Sequence, residues 1–182
     1  MSLLKQIGIK VPKEYRDAIQ FIDDFDYGPV LKKVSKDLNG PTRSYLHEGI
    51  ENLKRYYVVA LLDAQNPHAV SRPVDPYWHA HVLFSQEYFR FCETVFGNYV
   101  HHIPLDHDDL KAIRNVRKIY DYTLQKHAEI FKRVDSEWWP DATMPGLLIC
   151  FQPEALICFQ PESTSYRLPG LYKSVAKLRS EA

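Results

Sequence analysis

Cysteine and glycine are both sparse in this chain, and charge of neither sign is in excess. Three cysteines in 182 residues are too few, and odd in number, for a disulfide framework, which points to a reducing compartment. Seven glycines, and no Ser/Gly-rich run, leave no flexible linker, so no internal domain boundary is expected before about Trp139. Lys plus Arg and Asp plus Glu each number 23, for a net charge of zero. That balance removes the electrostatic argument for a nucleic acid or an anionic membrane as partner. It also gives little charge protection against self-association. No apolar run approaches the ~20 residues needed to span a bilayer. The N-terminal MSLLKQIGIKVPKEYRDAI has no long apolar stretch leading to a small-residue cleavage site. The expectation is a cytoplasmic protein, or one packed in a virion assembled in the cytoplasm. Also missing are a Gly-rich phosphate loop, a nucleophile elbow, a Cys-x-x-Cys zinc pattern and an aromatic-basic stripe for single strands.

What is present is helical periodicity. Val11–Phe21 opens with Pro12 in the first turn and sets Tyr15, Ile19 and Ile22 on one side. In DYGPVLKKVSKDLNG, Asp26 or Gly28 caps, Pro29 opens, Val30, Leu31 and Val34 face inward, and Asn39-Gly40 stops the helix. A third helix is expected from Ser44 to Gln65, broken by Asn66-Pro67. A fourth is expected from Asp75 to Gly97. A fifth should run from near Asp106 to about Arg133, with Leu110, Ile113, Val116, Tyr120, Leu124, His127 and Phe131 buried. The fold class is therefore mainly α: one helical-bundle domain of about five helices over residues 1–139.

Residues 140–182 read differently, as an irregular Pro-rich arm. An octapeptide is repeated in tandem there, Leu148–Ala155 (LICFQPEA) and Leu156–Ser163 (LICFQPES). Two copies cannot make a solenoid. The LICF pieces suit short strands or extended segments laid on the helices. The repeat is either a local duplication without function or a paired docking arm. A last short helix is expected over Leu171–Arg179.

Four of the eight histidines fall between Pro73 and Pro104, as His79-x-His81 and His101-His102. Imidazole is the commonest protein ligand for metals. On a helix at about 100° per residue, Trp78, His81, Val82, Ser85, Tyr88, Phe89, Cys92 and Phe96 share the core side, and Asp75, His79, Gln86 and Glu93 share another. His79 and His81 then point in nearly opposite directions. His79 could simply be held by Asp75, one turn earlier, and His81 could be a satisfied core histidine. A metal shared by His81 and His102 requires the chain after Gly97 to double straight back along the helix. Asp63, His68 and Glu51 are alternative partners for His79 or His81. Cys92 lies about 16 Å from His81 along a helix and reads as core.

The run Val74-Asp75-x-x-Trp78-His79-x-His81-x-Leu83, then Tyr88-x-x-Phe91-Cys92, Phe96-Gly97 and His101-His102-x-Pro104, resembles the glycine-rich domain-containing protein-like family. Glu51, Tyr56 and Tyr57 are similar to that family's preceding helix, so the resemblance spans about residues 15–105. The glycine-rich extension that names the family is missing here, and any role tied to it does not carry over. The resemblance implies a helical domain and brings no established catalytic activity. Two functions are expected from these readings. One is a domain that binds a transition metal, zinc before iron, through His79, His81, His101 and His102. The other is an interaction or assembly protein, such as a phage virion component, whose histidines order the fold and whose arm docks a protein partner or a second copy. A small hydrolase using His and Asp has no motif behind it.

Overall fold

The protein is described here from a computed structural model, which describes residues 1–103, 109–141 and 158–161. It is mainly helical. A short helix, α1 (Leu3–Gln6), precedes α2 (Lys13–Asp24), and Pro12 sits one residue before α2 rather than within its first turn. In α3 (Gly28–Asp37), the Asp26 carboxylate accepts from the Gly28 N–H at 2.9 Å and Pro29 lies in the first turn. Asn39 and Gly40 both take positive φ, and the Gly40 N–H donates to the Ser35 carbonyl, which closes the helix as expected.

The centre of the bundle is α4 (Arg43–Leu62), capped by Thr42, whose Oγ1 accepts from the Tyr45 N–H at 3.2 Å. From Tyr56 through Leu61 every residue is at most 1% exposed, so this half of α4 is surrounded on all sides. Gly49 permits a close crossing, because a Cβ there would lie 2.0 Å from the Tyr77 ring.

The expected fourth helix is two. α5 (Asp75–Leu83) ends at Phe84, whose ψ of 62° leaves the helical region, and α6 (Ser85–Phe96) starts at once and stops at Gly97 with φ 76°. The break resets the helical phase. Tyr88, Phe91, Cys92, Val95 and Phe96 form the buried face of α6, while Phe89, expected inside, is 50% exposed. In α7 (Leu110–Phe131) the Asp109 carboxylate caps Lys111 and Ala112. Leu110, expected in the core, is 66% exposed because it is the first residue of α7. Residues 104–108, where the helix was expected to begin, lie outside the described residues.

The core continues past α7. Trp138 and Trp139 are buried, the Trp139 indole donates to Asn52 Oδ1 at 2.9 Å, and Tyr120 donates to the Pro140 carbonyl. Three strands, β1 (His68–Ala69), β2 (Val100–Ile103) and β3 (Cys158–Pro161), pair antiparallel in the order β1-β3-β2. β3 comes from the second octapeptide, with Phe159 opposite both His68 and His102. The first octapeptide and the expected helix at Leu171–Arg179 lie outside the described residues. Among the described residues, no helix is long and apolar enough to cross a membrane.

Candidate functional site

The histidine motif is distributed over α5, α6 and β2, and a polar relay holds those elements together. The Trp78 indole donates to the Tyr88 hydroxyl at 3.0 Å, and Tyr88 donates to the Val100 carbonyl at 2.9 Å. Trp78 is fully buried beside Tyr56 of α4, as the inward stripe of the sequence requires.

His81 faces the interior. Its Nδ1 shares a 2.8 Å hydrogen bond with the Tyr57 hydroxyl. The rings of Phe25, Tyr88 and Phe91 stand 4.9–5.1 Å from its own, and those of Tyr27 and Tyr57 slightly farther. Burial among these rings pushes its pKa down to about 3, so the imidazole is neutral at ordinary pH. Among the described residues, Nε2 has no hydrogen-bond partner. Cys92, deep in α6, has its thiol pKa pushed up to about 11 by the same exclusion of water.

His79 points the other way. It is 46% exposed, with Nε2 3.6 Å from Oδ2 of the largely buried Asp75, the pairing expected from their one-turn spacing. His101 is exposed on β2, its ring 4.7 Å from that of Tyr99. Tyr99 in turn touches Tyr88 and lies stacked on Phe89. His102 follows in β2, with its backbone opposite Phe159; its side chain is outside those described. Two aromatic rings, Tyr88 and Tyr99, therefore stand in sequence between His81 and His101. Among the described residues, no three His, Cys, Asp or Glu side chains are grouped to hold a metal ion.

A second polar cluster joins the end of α4, β1 and α7. Asp63 Oδ2 accepts from the Tyr122 hydroxyl at 2.7 Å and lies 3.3 Å from His68 Nε2. On the other side of the ring, His68 Nδ1 is 3.4 Å from Thr123 Oγ1. The order carboxylate, imidazole, hydroxyl is that of a nucleophilic triad. Its hydroxyl is already committed: Thr123 Oγ1 donates to the Ile119 carbonyl at 2.8 Å and accepts from the Ala69 N–H at 3.0 Å. Both His68 and Thr123 are fully buried. Burial lowers the His68 pKa against the opposing pull of Asp63. The cluster pins β1 to α7 and has no attacking atom to offer a substrate. Asp63 and His68 thus meet each other rather than His79 or His81, and Glu51 pairs with Lys54 at 3.0 Å.

The model of the UCP032817-like family matches residues 17–130, which runs from within α2 to the penultimate residue of α7 and takes in the whole histidine motif. No curated protein and no solved structure matches the chain.

Proposed function

The chain belongs to the UCP032817-like family, an uncharacterised one, and we propose that it is an interaction and assembly module rather than an enzyme. In this reading the arm after Asp141 docks a second copy of the chain, as a component of a larger assembly such as a phage virion. The observation that carries it is the position of β3 between β1 and β2. That strand is held by main-chain pairing on both sides, which a strand from another copy satisfies equally well. Its link to the bundle, residues 142–157, is long enough to reach a neighbour. The histidines suit a structural role in the same reading, since His81 is packed as a core residue on Tyr57. The motif's likeness to the glycine-rich domain-containing protein-like family belongs to this proposal and adds a helical scaffold without a known reaction.

One observation favours the metal reading as well. A carboxylate beside an exposed imidazole, as Asp75 lies beside His79, is the usual outer support of a metal-ligating histidine. Zinc, or less readily iron, would then sit on His79 with His101 or His102 rather than on His81. Light scattering on tag-free full chain and on chain ending at Asp141, with elemental analysis of both, separates the readings. Assembly predicts a dimer or larger full chain, a monomeric truncation with the same helical circular dichroism, and no stoichiometric metal. A full chain that stays monomeric across micromolar concentrations overturns the assembly reading, and one zinc or iron per chain establishes the metal.

A further inference from the structure

Glu51 is placed one turn before Arg55 on α4, the natural partner for its charge. It is committed elsewhere, to Lys54 at 3.0 Å and to the Gln6 amide nitrogen at 3.5 Å. Arg55 instead sends both Nε and Nη2 to one neutral acceptor, Gln6 Oε1, at 3.1 and 2.8 Å. Gln6 is itself oriented, since its amide nitrogen also donates to the Met1 carbonyl. The result is a half-buried guanidinium, fixed in place and laid 5.7 Å from the Phe131 ring centroid, with donors to spare and, among the described residues, no carboxylate on it.

The space in front of it is a recess of about 350 Å³ lined by Gln6, Arg55, Phe131, Arg133 and Asp135. Arg133 arrives there because Lys132 takes a left-handed conformation, φ 61°, at the end of α7. Among the described residues, Arg133 also has no carboxylate partner. Two guanidiniums facing one recess with a single acid, Asp135, leave an uncompensated positive charge. His127, behind the Phe131 ring, registers that charge: after burial, Arg55 is the second cause that holds its imidazole neutral.

We infer that this recess is a binding site for a small molecule carrying a dianionic oxyanion, a phosphate ester or a dicarboxylate. The fork of a guanidinium matches the paired oxygens of either group. The fixed Arg55 and the exposed Arg133 both line the recess that would hold it. Asp135 Oδ1 accepts from the Glu137 N–H, and the second carboxylate oxygen selects a ligand that also carries a hydroxyl or ammonium. The volume suits a metabolite-sized ligand. Among the described residues, the recess shares no lining residue with β3 or the histidine motif.

The test is titration of the full chain with inorganic phosphate and, separately, with malonate, against sodium chloride at matched ionic strength, read by nitrogen-15 chemical shifts and calorimetry. A saturable response centred on Gln6, Arg55 and Arg133 is expected for at least one of the two anions, and the tighter anion identifies the ligand class. Arg133→Ala, at an exposed position, and Arg55→Lys, which keeps the charge and loses the fork, should each weaken it about tenfold or more, with unchanged circular dichroism. No saturable response to either anion, a response equalled by chloride, or unchanged affinity in both variants overturns the site.

Discussion

At His81 and His127 the fold keeps an imidazole neutral down to about pH 3, where the ordinary value is 6.5. Between those values the unfolded chain binds protons that the folded chain refuses. Stability is therefore full above about pH 6.5 and falls as the pH drops toward about 3, by up to ~1.4 kcal/mol per pH unit for each histidine. Urea titrations at intervals from about pH 7 to about pH 4 should show this decline, and His127→Leu should make it shallower by one proton. A wild-type stability that does not change over that range would contradict neutral burial. Tyr57→Phe removes the only hydrogen-bond partner of the His81 ring among the described residues and should cost about 1–3 kcal/mol in the same assay. Trp78→Ala empties a fully buried site and strands the Tyr88 relay, for about 3–5 kcal/mol. The opposed directions of His79 and His81 were legible in the sequence, because both lie on one uninterrupted helix and the 3.6-residue period fixes their angle. The Asp63–His68–Thr123 cluster was not. Its members are 55 and 59 residues from their partners on α7, and only tertiary packing brings them together.

At the scale of elements, caps and stops were readable where chemistry marks them: Asp26 before α3, Asn39-Gly40 after it, Gly97 after α6. The division of α5 from α6 had no such mark, since Leu83-Phe84-Ser85 contains neither proline nor glycine. The switch is made in the backbone itself: the Phe84 N–H turns to the His81 carbonyl while the Phe84 carbonyl accepts from the Tyr88 N–H, starting a new helix. The exposed Phe89 follows from that single residue. The octapeptide makes a separate prediction. Both copies read LICFQPE, so Phe151 has the same near neighbours as Phe159 and can take its place opposite His68 and His102. Deleting Leu156–Ser163 should leave helical circular dichroism and the melting temperature nearly unchanged. Deleting residues 148–163 should empty the strand position yet keep the helices, which bury a core of their own. Cooperative loss of the helical signal in the longer deletion would make the strand part of the folding core.

At the scale of the molecule, composition already argued against a disulfide framework, and no described helix is long and apolar enough to cross a membrane, while the pairing of the three-stranded sheet could not be read because it is long-range. Its strand order has a consequence in time. β1 and β2 do not neighbour each other, so no part of the sheet forms until β3 exists. Fifty-eight residues separate Ile103 from Pro161, which at ribosomal rates is a delay of about 3–12 s. In the last part of that interval, once α7 and Trp139 have been made, a nascent chain carries its helical bundle and two waiting edges. In the assembly proposed above, a strand from a neighbouring chain that has already finished translation can fill them first, so denser ribosome loading on the message should favour a sheet closed between two chains over one closed within a chain.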